Sequence, residues 1–499
     1  MTNLGQPRQS GHHIRGSASA PVEGRLFERR SPVSGAVVAR YADGTAEDVD
    51  RAAQAARAAF DTGPWPRMSG AQRAKILLRW ARLIGDNAEE LARLEVEEVG
   101  KTVRFARGDA AGMADLTEYA ATLAYEVHGD AYTNLGERHS AVVHREPMGV
   151  VGLIVPWNFP GLIYCQKVPF ALAAGNSVVV KPSEFTSATA LKLTQLAEEA
   201  GVPAGVINVV TGTGPVVGQS LVAHPQVDMI SFTGSTAVGR KVLEAAAAGP
   251  KRAHVELGSK AANIVFADAD LEDALDGTLF GIFFNQGECC VSGARLLVQE
   301  SIADSFVERL VARTRALRVG DPLDERTDVG ALIHGDHLAS VVRHVARGQE
   351  EGARLLTGGA RQDVAGLPEG CFMQLTILDQ VSERMAVFQQ EIFGPVLVVT
   401  RFKDEDEAVA LANASSYGLA NAVWTRSLDT SIRMARRLRS GTVYVNTQID
   451  GAVQLPFGGC KGSGFGREMG RAGLEEFTQT KSVMVHIGKR VPFFGAKGE

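Results

Sequence analysis

Residues 149–160 read Gly149-Val150-Val151-Gly152-Leu153-Ile154-Val155-Pro156-Trp157-Asn158-Phe159-Pro160. A short apolar run, rich in β-branched residues and closed by proline, predicts a strand buried on both faces. The two prolines bracketing Asn158 then fix a rigid loop where the strand ends. An Asn amide held there is suited to donate to a developing oxyanion.

The pattern repeats downstream. Short apolar runs at 177–180, 206–210, 228–232 and 254–257 alternate with helical stretches at 162–173, 187–200, 215–223 and 236–247. Such alternation predicts an α/β fold with a parallel sheet covered on both faces, whose ligands bind beyond the carboxyl ends of the strands. A second alternation starts at 263–266 and continues through strands at 295–298, 396–401, 420–424 and 441–445, giving a second α/β unit. Between them, the Gly- and charge-rich segment 352–369 reads as a surface excursion. Upstream, residues 45–127 are helical in pattern, with Ile76, Leu77, Trp80, Leu83 and Ile84 in one packing stripe. Residues 1–20 read as a poorly ordered polar arm carrying a solvated His12–His13 pair. Residues 132–145 and 481–488 are extended in pattern and could form an appendage sheet completed by another subunit.

Composition narrows the function. With 52 Lys+Arg against 57 Asp+Glu, a net charge of -5, the chain is no nucleic-acid binder. No apolar run reaches the roughly 20 residues of a membrane helix, and the start lacks a secretory core, so the expected place is the cytoplasm. Five cysteines, Cys165, Cys289, Cys290, Cys371 and Cys460, make no disulfide framework and no metal-ligand spacing, so no metal is expected.

Several residues could carry chemistry. In Phe232-Thr233-Gly234-Ser235-Thr236-Ala237-Val238-Gly239, a helix opens straight after a parallel strand and would suit a pyrophosphate, although a mere tight turn reads equally. Glu184, in Lys181-Pro182-Ser183-Glu184 beyond the 177–180 strand, could hold an adenosine ribose and so favour NAD over NADP; Lys181 pulls the other way, and a solvated helix start is the alternative. Glu256 ends an apolar strand, where desolvation would raise its pKa and make it a general base. In Gly287-Glu288-Cys289-Cys290, either cysteine could be a nucleophile on a glycine-containing loop, or a buried structural residue.

Together these segments resemble the aldehyde dehydrogenase superfamily, in family order: PWNFP at 156–160, KPSE at 181–184, FTGSTAVG at 232–239, ELG at 256–258, NQGECC at 285–290, EIFGPV at 391–396 and PFGGCKGSGFGRE at 456–468. Stretches at 132–137 and 145–160 and the Gly488-Lys489-Arg490 run look closest to its sorbosone-dehydrogenase-like branch. The resemblance implies a Rossmann-like NAD-binding domain at 1–126 and 148–258, a catalytic domain at 259–473, and oligomerisation segments at 127–147 and 474–499, in a homodimer or homotetramer. It implies oxidation of an aldehyde to an acid with NAD, NADP being less favoured. Cys290 would be the nucleophile, Asn158 with the Cys290 N–H would hold the oxyanion, and hydride loss to the nicotinamide would leave a thioester. Glu256 would activate the hydrolytic water, and Lys167 and Glu468 would relay protons. Glu391 and Phe393 would hold the nicotinamide ribose and ring; Val155, Pro156, Trp157, Lys181, Ser183, Glu184, Gly214, Phe232, Thr233, Gly234, Ser235, Val238 and Leu257 would complete the cofactor site.

Two departures stand out. Ser259 replaces the second glycine of the family's ELGGK, and Glu288 replaces the glutamine two residues before the nucleophile. A carboxylate aimed at the sulfur would weaken it, so the Glu288 side chain is expected to point away. On the substrate side, Gln166 suits a polar or hydroxylated aldehyde, with Phe159 and Phe457 as apolar walls. A CoA-acylating relative would generally lack the base at position 256. A non-catalytic protein on this fold is suggested only by Ser259.

Overall fold

The computed structural model describes residues 7–490 and 493–494; residues 1–6 of the expected arm and 491–492 and 495–499 of the expected terminal segment lie outside the described residues. The apolar runs of the first alternation are strands, as the pattern requires. Val150–Ile154, Ser177–Lys181, Ile207–Val209, Met229–Thr233 and Arg252–Glu256 lie parallel in one eight-stranded sheet. Strand Val150–Ile154 sits between Ser177–Lys181 and Met229–Thr233, so the strand order reverses there. That reversal opens a crevice at the carboxyl ends, where Pro156 and Gly234 follow their strands.

The sheet's far edge corrects the expected polar arm. His12–Ile14 pairs antiparallel with Ile207–Val209, and Ser17–Ser19 pairs with His12–Ile14. His12 and His13 are buried, His12 Nδ1 lying 3.1 Å from Thr211 Oγ1 and its Nε2 3.6 Å from Asp48, while His13 faces Glu198 at 2.9 Å. Polar residues form a strand here because their partners come from far along the chain.

The second sheet has seven strands in the order Arg354–Thr357, Thr376–Asp379, Val396–Phe402, Arg295–Gln299, Ala262–Val265, Ala420–Trp424 and Thr442–Val445. All pairs are parallel except the outermost, Arg354–Thr357 on Thr376–Asp379. The supposed surface excursion 352–369 therefore starts as an edge strand. Its half-buried, bulged ladder is the reason that no alternating pattern marks it. The two-residue strand Gly464–Phe465 returns to the first sheet and pairs with Val255 and Glu256, bringing the 456–468 segment against the base.

The segments expected to be extended pair within the chain. Thr478–His486 and His139–Pro147 run antiparallel over nine residues, with Asp130–Tyr132 outside them. This three-stranded sheet leaves Val483, Met484, Val485 and the adjoining Ile487 exposed. No helix among the described residues is long and apolar enough to cross a membrane.

Candidate active site

Helix Leu271–Phe283 ends in a loop whose Asn285 (φ 48°) and Gln286 (φ 59°) both adopt the left-handed conformation. Two such residues in succession store strain and need fixing from outside. Asn285 Nδ2 donates to the carbonyls of Asn158 at 3.1 Å and Glu288 at 3.0 Å, and Asn158 Nδ2 donates to the same Glu288 carbonyl at 3.0 Å. The proline-bracketed loop and the cysteine loop are thereby fastened together. Asn285 lies within the quoted NQGECC but had no role in the sequence reading; a polar residue two before the glycine of a strained loop was the available signal.

Cys289 is buried, while Cys290 is half-buried. Cys290 lines two cavities at once. One, of about 400 Å³, is shared with Phe159, Gln166, Glu256, Tyr444, Phe457 and Glu468. The other is shared with Ser259, Lys260, Glu391 and Phe393. The neighbouring Cys289 thiol, burial, and the carboxyls of Glu391 and Glu256 hold the Cys290 pKa well above the usual thiol range. It therefore rests as a thiol and needs a base.

Glu256 ends its strand buried, and burial together with Glu468 raises its pKa well above the carboxylate range. A carboxyl shifted upward in this way is suited to take and return protons. Lys167 reaches from helix Pro160–Ala174 to donate to Ser231 Oγ at 2.7 Å and to the Glu468 carboxylate, with Lys167 fully buried. Glu468 also accepts from Thr233 Oγ1 at 3.5 Å, and its backbone pairs reciprocally with Phe457. Phe159 stacks on Phe284 at 5.7 Å and lies 4.4 Å below Lys101 Nζ.

On the other side of the cysteine, Ser259 N–H donates to Glu391 Oε1 at 2.7 Å, and burial lifts the Glu391 carboxyl to about 7. Gly258 makes this possible, since a Cβ there would stand 2.4 Å from Glu391 Oε2. Phe393 meets Trp157 edge-on at 5.3 Å. His337, absent from the sequence reading, touches this wall: its ring packs on Trp157 at 5.6 Å and its Nε2 donates to the Phe393 carbonyl at 2.7 Å. Its place comes entirely from tertiary approach, so no local pattern announces it.

Glu288 points away from the sulfur. Its Oε1 accepts from Ile333 N–H at 3.0 Å, its Oε2 accepts from Gln286, and burial raises its pKa well above the usual range. Glu288 lines neither of the two cavities that Cys290 shares.

The crevice at the strand reversal gathers the remaining residues. Val155 N–H donates to the Lys181 carbonyl at 3.0 Å; Lys181 Nζ donates to the Pro182 carbonyl at 2.9 Å and pairs with Glu184 at 3.2 Å. Ser183 Oγ accepts from Phe185 N–H. Gly214 opens a π-turn, Gly214–Gly218, beside Lys181. Phe232 is buried, and Ser235 caps helix Thr236–Ala248 by accepting from Val238 N–H, leaving Val238 exposed at the helix start. Thr233 and Leu257 line the cavity shared by Cys290 and Glu256. Tyr444, Asp450, Asp115 and Phe284 line that cavity too, unannounced by any spacing.

The sequence profile of the aldehyde dehydrogenase family matches residues 20–483. The chain belongs to the aldehyde dehydrogenase family. It is similar to the NADP/NAD-dependent aldehyde dehydrogenase PuuC of Escherichia coli (strain K12), 44% identical over 477 residues that cover 95% of each chain. It also resembles the crystal structure of an NAD-dependent aldehyde dehydrogenase from Sinorhizobium meliloti, with TM-score 0.97, 46% identity, and coverage of 99% of this chain and 98% of that one. A third likeness is to betaine aldehyde dehydrogenase of Staphylococcus aureus in complex with NAD+, with TM-score 0.96, 36% identity, and coverage of 99% and 98%. The protein is an NAD-dependent oxidoreductase acting on aldehydes. Its fold is that of the family, a Rossmann-like sheet beside a catalytic α/β layer.

The residues present fit the cofactor. In the cavity between Cys290 and Glu391, Ser259 Oγ and Lys260 Nζ are buried without a hydrogen-bond partner among the described residues, and burial lowers the Lys260 pKa to about 7. Buried polar atoms left open in this way await a polar ligand.

Proposed function

We propose that the aldehyde is oxidised while covalently bound to Cys290, with Glu256 as the base, and that the product leaves as a carboxylic acid. The observation that carries this is the position of Cys290 at the junction of two cavities, one shared with Glu256 and one with Glu391 and Phe393. The Cys290 thiol gives its proton to solvent water and its sulfur attacks the carbonyl carbon. The second N–H of Asn158 and the Cys290 backbone N–H hold the resulting oxyanion. NAD supplies the hydride acceptor. Glu391 and Phe393 hold its nicotinamide end; Pro156, Trp157, Lys181, Ser183, Glu184, Gly214, Phe232, Gly234, Ser235 and Val238 hold the rest. Glu256 next takes a proton from water, whose oxygen attacks the thioester carbon and frees the thiolate. Lys167 and Glu468 carry the proton onward. A base at position 256 favours hydrolysis over transfer to CoA.

The substrate is a polar aldehyde. Gln166, the Tyr444 hydroxyl, Asp115 and Asp450 offer polar contacts among the walls of Phe159, Phe284 and Phe457, and among the described residues no Lys, Arg or His lines this cavity. That lining favours neutral or cationic aldehydes over those carrying a carboxylate. The exposed apolar row Val483–Val485 supports a homodimer or homotetramer formed through the terminal sheet. Five unpaired cysteines, one of them the nucleophile, suit the reducing cytoplasm. NADH formation over a panel of aldehydes, compared with Cys290→Ala, tests the reading: the variant should be inactive, and equal rates would refute it.

A further inference from the structure

Residues two apart on a strand share a face, so His254 and Glu256 project together from strand Arg252–Glu256. The neighbouring parallel strand places Ser231 beside His254 and Thr233 beside Glu256. A chain of side chains follows from this register. Lys167 Nζ lies 2.7 Å from Ser231 Oγ, Ser231 Oγ lies 3.3 Å from His254 Nδ1, and His254 Nε2 lies 3.2 Å from Glu256 Oε1. Lys167 and Ser231 are 0% exposed, His254 1% and Glu256 3%, so water does not compete with these contacts.

The chain has a fixed polarity. An ammonium can only donate, so Ser231 accepts from Lys167 and turns its own proton to His254 Nδ1. The imidazole proton is then on Nε2, where it is donated to Glu256 Oε1. The groups facing the ring agree with a neutral imidazole. Lys167 comes from helix Pro160–Ala174, Arg252 from the ring's own strand and Arg467 from the returning segment; burial first and these cations next push the His254 pKa well below its usual value. The ring is also held sterically. It lies against Gly466 (φ 92°), where a Cβ would stand 2.2 Å from His254 Cδ2.

We propose that His254 is a positioning residue for the base: its Nε2–H pins Glu256 Oε1, leaving Oε2 as the oxygen that meets the hydrolytic water. Among the described residues Glu256 Oε2 is buried with no hydrogen-bond partner, Glu256 lines the cavity of Cys290, and the Gly459 backbone also favours the charged form of the carboxyl. An N–H given to the charged carboxylate also favours that form. The inference rests on the assignment of Glu256 as the base.

Three variants separate the possibilities: His254→Leu, His254→Gln and Glu256→Gln, each mixed with aldehyde and NAD. His254→Leu should form its first equivalent of NADH at the wild-type rate and accumulate acyl-enzyme. Its steady-state kcat should fall at least about tenfold, the worth of one hydrogen bond to a charged group. The acid limb of its kcat–pH profile should move to higher pH, because the carboxylate has lost its donor. His254→Gln, which restores an N–H donor, should recover most of the rate. Wild-type turnover and pH profile in His254→Leu would overturn the proposal. So would an equal loss of the first NADH equivalent and kcat that His254→Gln does not rescue. If Glu256→Gln blocks hydrolysis while His254→Leu does not, only the positioning role falls; if Glu256→Gln turns over normally, the base assignment itself is wrong.

Discussion

The side-chain amide of Asn158 donates to the backbone carbonyl of Glu288 at 3.0 Å, tying the loop that follows the first parallel strand of the crevice to the loop that carries the nucleophile. One N–H thus sets the geometry and the other is free for the oxyanion. Asn158→Ala removes both. We expect kcat/KM to drop about 10²–10³-fold, as when one preorganised oxyanion donor is lost. Steady-state kinetics of this variant, with far-UV circular dichroism to show that it folds, is the check.

Glu288 bears on stability. Its folded pKa is raised, so the native state holds a proton that the unfolded chain gives up. The stability this group allows is full below its unfolded pKa and is lost as pH rises toward the folded value. Glu288→Gln keeps an acceptor for Ile333 N–H and cannot ionise. Its apparent Tm should exceed wild type by about 2 °C or more at pH 8 and by less at pH 5. Thermal melts at the two pH values give the comparison, and a larger gain at pH 5 would contradict it.

Removing Lys167 would leave the Glu468 carboxylate buried without its cation. Breaking one side of a buried pair costs about 3–5 kcal/mol. Lys167→Met should therefore unfold at lower urea concentration than the double variant Lys167→Met/Glu468→Gln, which removes both charges. Denaturation midpoints decide this.

The cavity's mouth carries exposed Asp115 and Asp450. Replacing both with Asn should lower kcat/KM for an aldehyde bearing an ammonium group by about 2- to 5-fold, the modest worth of exposed charges. The effect should shrink as salt is added. A neutral aldehyde of the same length should be unaffected, and the ratio of the two at low and high ionic strength is the readout.

The parts of this molecule that were legible in the sequence are those whose signal is local. Strands such as Val150–Ile154 and Ser177–Lys181 are continuous apolar runs because both faces are covered, and their motifs sit at the strand ends where ligands gather. His12–Ile14 was not legible: a polar strand is paid no attention by hydropathy, and its burial depends on Asp48 and Thr211. Thr376–Asp379 has only four residues between turns and gave no run to read. In the site, Cys290, Glu256 and Asn158 stand in recognisable segments, whereas His337 and Tyr444 come from segments whose neighbours say nothing of the cavity.

The raised pKa values of Cys290 and Glu256 set the pH dependence. Both act after losing a proton that their surroundings hold tightly, so activity should rise as the pH is raised from the acid side. A rate that falls over that range, with the protein folded, would contradict the roles of both.

The most direct test of the account is the intact mass of Glu256→Gln after mixing with aldehyde and NAD. Covalent catalysis on Cys290 with Glu256 as base predicts a trapped acyl adduct on the protein, one equivalent of NADH, and neither signal when Cys290→Ala is added to the variant. Normal turnover by Glu256→Gln with no adduct, or an adduct that survives Cys290→Ala, would contradict it.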